Sequence, residues 1–255
     1  MIKTINGLNI HYFEKGEGPL VVLLHGWGSN ISLFTSMTEV LCKKYKVVAM
    51  DMPGFGSSDE PKEIWNVLDY TNFVIDFVKG YNTDEVIFLG HSFGGRVIIK
   101  MFEREDLPFR ISKLILTGSA GIVPQKTPKQ IRRQKIYKMT RKIYSSPLFT
   151  RIFPNAVENL RKKHGSADYN AASPTMRQIL VKVVNEDLSH IFPRVTPSTL
   201  LIWGKNDTAT PLADGKTMEK AMPNAALVVL QNSGHYAFLD EMFAFNKIIA
   251  SFMNI

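Results

Sequence analysis

The ten residues Val86–Gly95, VIFLGHSFGG, decide how this sequence is interpreted. An apolar run stops at Gly90, and one serine then stands between a histidine and a phenylalanine, with two more glycines behind it. The G-x-S-x-G spacing over Gly90–Gly94 is typical of a sharp turn from a strand into a helix. Such a turn lifts Ser92 above the carboxyl edge of a sheet, so we expect its hydroxyl to be presented for chemistry.

Six short apolar runs predict the sheet to which this turn belongs. They are nearly continuous in valine, leucine and isoleucine, as strands are when helices cover both faces of a sheet. The runs are LVVLL at 20–24, KVVAM at 46–50, VIFLG at 86–90, KLILTG at 113–118, TLLIW at 199–203 and ALVVL at 226–230. Apolar residues at helical spacing lie between several of them. We therefore expect an α/β fold with a doubly wound, mostly parallel sheet.

Helix boundaries are indicated by capping signals. Thr210 and Pro211 predict the N-cap and first position of a helix that ends near Met222. Ser173 followed by Pro174 predicts another start of the same kind. The last helix is expected from about Asp240 to Phe252.

One connection is too long for a loop. After Gly118, roughly eighty residues pass before TLLIW, and they hold at least two helical stretches but no strand-like run. Structureless connections of that length are uncommon in compact domains. We therefore predict an α/β core at 1–120 and 196–255, with a helical cap inserted at 121–195.

The composition limits the class of protein to which this chain can belong. The chain has 255 residues, of which 45% are hydrophobic, and no apolar run approaches the ~20 residues that span a bilayer. Cys42 is the only cysteine, which excludes an intrachain disulfide, and we expect it to be buried as a small apolar residue. The first residues lack a leader pattern. These features predict a cytoplasmic protein without stable membrane anchoring, and they leave its oligomeric state open.

The formal charge of +8 is unevenly distributed. Twelve lysines and arginines lie between Pro124 and Lys163, against the single acid Glu158. Such a segment attracts anionic substrates or membrane surfaces at long range, or it is simply a solvated helix face, which is the interpretation we favour. It has no basic-aromatic interleaving, so we predict no nucleic-acid partner.

A serine nucleophile needs a general base, because its hydroxyl reacts poorly at neutral pH. Groups that converge in doubly wound sheets do so in loops beyond the carboxyl ends of strands. His235 follows ALVVL and Asp207 follows TLLIW, which matches the order Ser, Asp, His expected for this architecture. Asp214 is the nearest competitor of Asp207, but it falls inside a predicted helix. His91 lies inside the G-x-S-x-G turn, which we call the elbow, and His11, His164 and His190 lie outside strand-end loops. For these four histidines we expect surface or packing roles.

Acyl transfer also needs hydrogen-bond donors for an oxyanion. The N–H of Phe93 follows the nucleophile, and the N–H of Trp27 lies in the loop LLHGWGSN after the first predicted core strand. We expect His25 to hold that loop by hydrogen bonds. The histidines show no metal-ligand spacing, so we predict neither a metal nor another cofactor.

The segments HGWG, DMPGFGSSD, GHSFGG and WGKNDTATP, together with GH at His235, resemble the α/β-hydrolase fold family of serine hydrolases over nearly the whole chain. The resemblance implies a catalytic triad of Ser92, Asp207 and His235, with an oxyanion hole formed by the Trp27 and Phe93 amides. Haloalkane dehalogenases and epoxide hydrolases of this family carry aspartate at the elbow, which argues against both reactions here.

Three activities stay open within that resemblance. The first is serine esterase activity on a small carboxylic ester or a related acyl substrate. The second is hydrolysis of carbon-carbon bonds in ring-fission diketones, although such hydrolases commonly have tryptophan after the base, where this chain has Tyr236. The third is a ligand sensor of the hydrolase fold with little turnover.

The predicted cap is expected to cover Ser92 and to close a pocket. Arg96, just past the elbow, either ties the cap to the core or meets a substrate carboxylate. Six aromatic residues and methionines are candidates for the pocket wall, with core packing as the alternative for each: Tyr137, Met139, Tyr144, Phe149, Met176 and Phe192.

Overall fold

Eight strands form one sheet in the computed structural model, which describes residues 1–123, 127–164 and 166–255. The strands are β1 (Ile2–Ile5), β2 (Leu8–Lys15), β3 (Leu20–Leu24), β4 (Lys46–Met50), β5 (Glu85–His91), β6 (Arg110–Thr117), β7 (Ser198–Gly204) and β8 (Ala225–Leu230). Their order across the sheet is β1-β2-β4-β3-β5-β6-β7-β8. All six predicted runs are strands.

The sheet is parallel from β4 to β8 and antiparallel at its first edge. There, β1 and β2 form a hairpin, and β2 pairs with β4 through Tyr12 and Met50. Our six runs did not include these two strands. Only one face of β2 is buried at its start, at Leu8 and Ile10, so it alternates with polar residues and lacks a continuous apolar run.

Helices lie between the strands. Two short 3-10 helices cover Ile31–Phe34 and Ser189–Arg194. The α-helices are α1 (Thr35–Leu41), α2 (Val67–Lys79), α3 (Phe93–Met101), α4 (Pro128–Tyr144), α5 (Pro147–Ile152), α6 (Ala156–His164), α7 (Ala167–Ala171), α8 (Pro174–Val184), α9 (Leu212–Ala221), α10 (Ala237–Asp240) and α11 (Met242–Met253).

Apolar side chains cover both faces of the sheet. Neighbouring residues of β3 alternate between two buried clusters: Val22 and Leu24 pack with α2 and α3, whereas Val21 and Leu23 pack with α1 and α11. A strand that is buried on both faces needs apolar residues at every position, which is why its run is continuous. The doubly wound, mostly parallel sheet predicted from the runs is therefore confirmed.

Two helix starts differ from the predictions, and one agrees. α9 begins at Leu212 with Pro211 as its N-cap residue, because the Thr210 hydroxyl bonds to Asp207 instead of capping the helix. α11 begins at Met242, after the separate turn of α10. Ser173 caps α8 as predicted, since its hydroxyl accepts the Met176 N–H at 3.2 Å.

The helical segment, residues 128–194, lies between β6 and β7, although these strands are neighbours in the sheet. It contains α4 to α8 and the second 3-10 helix. Pro124 and Lys126, at the start of the basic segment, lie outside the described residues. The division into a core at 1–120 and 196–255 and a cap at 121–195 stays a prediction.

The basic residues of α4 point into solvent. Seven lysines and arginines of this helix are exposed, as a solvated helix face requires: Lys129, Arg132, Arg133, Lys135, Lys138, Arg141 and Lys142. Cys42, at the end of α1, is only half-buried and packs against the α1 and α11 face of the sheet. No helix in the described part of the chain is long and apolar enough to span a bilayer.

Candidate active site

Ser92 occupies a one-residue corner between β5 and α3. It has φ 50° and ψ −110°, a strained conformation for a residue other than glycine, of the kind that concentrates at functional sites. Two hydrogen bonds hold the corner: the Ser92 N–H donates to the Thr117 carbonyl at 3.1 Å, and the Ser92 carbonyl accepts from the Ala120 N–H at 3.0 Å. The sharp turn that the motif predicts is present.

The glycines of the motif are required by close packing around this corner. A Cβ at Gly94 would overlap the Leu24 carbonyl group of the neighbouring strand. A Cβ at Gly90 would lie 2.7 Å from the backbone of Gly95. Since backbone atoms on a packed sheet cannot yield without moving the sheet, both positions exclude side chains.

Asp207 and His235 are brought together by the loops after β7 and β8. The Nδ1 atom of His235 lies 2.8 Å from Oδ2 of Asp207. Asp207 is buried, and its Oδ1 accepts the N–H groups of Ala209 and Thr210, both at 2.9 Å. This arrangement leaves Nε2 as the free nitrogen of the imidazole, the one that a general base uses.

The carboxylate of Asp207 is stabilised in its ionised form. Burial by itself would raise the pKa of Asp207, but the hydrogen bonds from His235 and Thr210 outweigh it and hold the pKa below its ordinary value. Asp214, the competing acid, lies in α9, and among the described residues no hydrogen bond or ion pair joins it to His235. Burial, with the charge of Asp207 as a second cause, raises the pKa of Asp214.

Thr210 is a residue of the site that our sequence reasoning missed. Its hydroxyl lies 2.9 Å from Oδ2 of Asp207, 2.9 Å from the Gly118 carbonyl and 3.3 Å from Nδ1 of His235. Its position before Pro211 predicts a helix cap instead. The signal that identifies it is the aspartate three residues earlier, since such a side chain commonly bonds the backbone of the next turn.

Replacing Thr210 with valine is expected to lower the free energy of unfolding by about 2 kcal/mol, because a buried carboxylate loses a charge-assisted hydrogen bond. That loss corresponds to a melting temperature about 4–8 °C lower, measured by circular dichroism. Thr210→Ser keeps the hydroxyl and should retain most of the stability. Thr217→Val, on the exposed face of α9, is the matched control and should stay within about 0.5 kcal/mol of the original chain.

The stability loss in Thr210→Val should depend on pH. The folded pKa of Asp207 is lowered, so the stabilisation it contributes is fully present above the unfolded value of about 3.9 and disappears as the pH falls through the folded pKa. The difference in melting temperature between the variant and the original chain should therefore be largest near pH 7 and shrink below about pH 4. An undiminished difference at pH 3 would contradict this role of Thr210.

Ser92 and His235 face one cavity of about 360 Å³. Its wall includes apolar side chains from the helical segment and the loop before it: Leu180, Val183, Val184 and Ile122. In the part of the chain that is described, no hydrogen bond joins the Ser92 hydroxyl to the imidazole. Such bonds are often long in enzymes without substrate and tighten in the complex.

The two predicted oxyanion donors lie on the same cavity. Trp27 and Phe93 both line it, and within the described ranges neither backbone N–H has a hydrogen-bond partner. The Phe93 N–H is at the first position of α3, where helix N–H groups are free and the helix dipole favours negative charge. Both amides are therefore available to an oxyanion beside Ser92.

The loop that carries Trp27 is held by His25, as predicted. Nδ1–H of His25 donates to the Gly26 carbonyl at 2.7 Å, and Nε2 accepts the Met52 N–H at 2.9 Å. The ring is fully buried, and burial lowers its pKa, so it stays neutral. His25 is a structural residue of this loop.

His91 has a larger role than the packing or surface position we expected. It is buried, its ring centroid lies 4.8 Å from that of His235, and its Nε2–H donates to the His235 carbonyl at 3.1 Å. Burial, followed by the neighbouring His235, lowers the pKa of His91 to about 3, so it is neutral at working pH. His91 thus supports the loop that carries the predicted base.

None of the six candidate wall residues lines the cavity at Ser92. Met176 lines a neighbouring cleft of about 390 Å³, which shares Trp27 and Asp168 with the cavity. The other five lie elsewhere: Phe192 in the core, Met139 in solvent, Tyr137 in a separate groove, and Tyr144 stacked on Phe149. Helical spacing identified apolar positions but not which of them face Ser92.

Histidine, cysteine, aspartate and glutamate side chains are the usual protein ligands of metal ions. Over residues 1–123, 127–164 and 166–255, no three histidine, cysteine, aspartate or glutamate side chains are grouped to hold a metal ion.

Comparison with known proteins extends along nearly the whole chain. A family model described as alpha/beta hydrolase fold matches residues 19–242. The AB hydrolase superfamily protein YisY of Bacillus subtilis is 26% identical, over 99% of this chain and 98% of the relative. A 2-hydroxy-6-oxononadienedioate/2-hydroxy-6-oxononatrienedioate hydrolase of Pseudomonas putida is 27% identical, over 96% of this chain and 92% of the relative. The structure of an esterase from Exiguobacterium antarcticum matches with a TM-score of 0.77 and 25% identity, over 100% of this chain and 98% of that one.

Proposed function

Because this chain belongs to the alpha/beta hydrolase fold family, we propose that it is a serine hydrolase that cleaves a small carboxylic ester or related acyl substrate at Ser92. One observation carries the proposal. Ser92, His235 and the Trp27 and Phe93 amides line a single cavity, and Asp207 bonds the far side of the imidazole at 2.8 Å. Each group needed for acyl transfer is thus available at one place.

The proposed reaction has two acyl-transfer steps. In the first, Nε2 of His235 takes the proton of Ser92 as its oxygen bonds to the substrate carbonyl carbon. The resulting oxyanion accepts hydrogen bonds from the Trp27 and Phe93 amides. The carbon-oxygen bond to the alcohol then breaks, and the alcohol leaves with the proton returned by His235. In the second step, water repeats the attack and releases the carboxylic acid and Ser92.

Asp207 has a supporting role in this reaction. Its carboxylate accepts Nδ1–H of His235, which keeps Nε2 unprotonated and stabilises the imidazolium that forms. Because Ala209 and Thr210 hold the carboxylate from the other side, it is preorganised for that task. The apolar wall from the helical segment lowers the local dielectric constant, which strengthens these electrostatic contacts.

A fluorophosphonate probe tests the proposed nucleophile directly. We expect stoichiometric labelling of the chain, with the adduct found by peptide mass spectrometry on Ser92, because an activated serine displaces fluoride from phosphorus. Ser29→Ala, which alters a serine of the neighbouring cleft, should label like the original chain. An unmodified Ser92 peptide after prolonged incubation with excess probe would contradict the proposal.

Carbon-carbon hydrolysis is the second candidate, and the Pseudomonas putida relative is the observation that favours it. Tyr236 stands after the predicted base, where such hydrolases commonly have tryptophan. A panel of acyl esters, thioesters, lactones and ring-fission diketones separates the two reactions. Tight binding of a panel member with negligible turnover would instead indicate a ligand sensor.

A further inference from the structure

Arg96 is a buried cation on the same cavity as Ser92. It stands four residues after Ser92 and therefore on the same side of α3. Only 4% of its surface is exposed, and it lines the cavity with His235. A cation held this close to the predicted nucleophile needs an explanation, because buried charges are expensive unless paired.

The Arg96 guanidinium has little pairing within the protein. Its Nη1 donates to the Glu186 carbonyl, just beyond the end of α8. Across the described residues, this is its one hydrogen bond, and no carboxylate lies within 4 Å of its nitrogens. A guanidinium has five N–H donors, so most of its capacity is unused.

The two acids near Arg96 are already engaged with other groups. The Glu186 carboxylate pairs with Lys100 at 2.8 Å. The Asp187 carboxylate accepts the N–H groups of Val123 at 2.9 Å and Ser189 at 3.0 Å. Burial lowers the pKa of Arg96 to about 10, with these two acids opposing the shift, so the side chain is still charged at neutral pH.

An anionic group of the substrate would satisfy this cation. Resting on the proposed esterase function, we propose that Arg96 binds a carboxylate on the acyl part of the substrate, which makes the enzyme selective for esters of dicarboxylic acids. Leu180 and Val183, which are both buried, line the cavity with Arg96, and such an apolar surrounding strengthens a charged pair. Asp168 and Asp214 also line the cavity and oppose anions, so selectivity depends on Arg96.

Two esters of matched length test the proposal: mono-p-nitrophenyl glutarate, which carries a free carboxylate, and p-nitrophenyl pentanoate, which does not. We expect kcat/KM to favour the glutarate ester at least tenfold. Arg96→Gln should reduce the ratio of the two kcat/KM values by about 10- to 150-fold, which is the loss expected for hydrogen bonds to a charged group. Arg96→Lys, which keeps the charge but not the fork geometry, should lose less.

Lys100→Gln is the matched control for a merely structural role of Arg96. Lys100 also joins α3 to Glu186 but does not line the cavity. It should therefore change neither the ratio nor the turnover of the neutral ester. An equal loss for both esters in Arg96→Gln, or the absence of any preference in the original chain, would overturn carboxylate binding.

A binding measurement keeps this inference separate from the proposed reaction. Glutarate is titrated calorimetrically into Ser92→Ala with and without Arg96→Gln. We expect binding to weaken by about 10- to 150-fold when Arg96 is replaced. Equal affinity in the two variants overturns the role of Arg96, whatever ester turnover shows. Weakened binding without any ester turnover would support Arg96 while removing the esterase function.

Discussion

Ser92→Ala is expected to lower kcat for p-nitrophenyl acetate by about 10⁵-fold or more, which makes it the largest effect we predict. The substitution removes the oxygen that attacks the substrate, whereas the amides and the binding cavity remain and supply the residual rate. The measurement is initial rate at saturating ester, with the enzyme concentration set by active-site titration of the original chain.

The fold of Ser92→Ala should be intact. Among the residues that the structure describes, the Ser92 hydroxyl makes no hydrogen bond, so its removal leaves no buried partner unsatisfied. The melting temperature should not fall, and the fluorophosphonate adduct should disappear. A variant that keeps more than a few per cent of the original kcat would show that Ser92 is not the nucleophile.

Asp207→Asn is expected to lower kcat by about 10⁴-fold, the second largest effect. An amide of nearly the same size can donate to Nδ1 of His235, which places the imidazole proton on Nε2. That tautomer cannot accept the Ser92 proton. The variant should also lose the charge that stabilises the imidazolium, so the loss should appear in kcat rather than in KM.

Asp214→Asn is the matched control for the assignment of the acid. Asp214 lies seven residues further along and lines the cavity at Ser92, but no hydrogen bond or ion pair joins it to His235 among the described residues. We expect its kcat for p-nitrophenyl acetate to stay within about threefold of the original value, as for residues outside the proton-transfer chain. A larger loss in Asp214→Asn than in Asp207→Asn would reverse the assignment.

Most of the sheet was predictable from the sequence, because buried strands require apolar residues at regular positions along the chain. Strands such as β3, covered on both faces, are recognisable as continuous apolar runs. The β1 and β2 hairpin was not predicted, because strands at the edge of the sheet bury only one face and lack a continuous apolar run. Motif spacing likewise predicted the corner at Ser92, because close packing around such a corner excludes side chains at Gly90 and Gly94.

The supporting residues of the site were not predictable in the same way. Thr210, His91 and Arg96 gain their positions from loops that meet only after the sheet has formed. Their partners at Gly118, His235 and Glu186 are 90 to 144 residues away in sequence. Only the link between Thr210 and Asp207 is short. No periodicity or spacing within one segment records such contacts.

The sequence alone thus predicted the apolar strands and the turn at Ser92, because these depend on residues close together in the chain. It also predicted the Ser, Asp, His order, because each of these residues follows a recognisable strand. Only the tertiary structure shows which side chains line the cavity at Ser92, which N–H groups donate to Asp207 and where the charged Arg96 side chain is buried. The physical reason is that steric and periodic constraints act over a few residues. Cavity shape and the pairing of buried charge instead depend on side chains from distant elements that pack against one another.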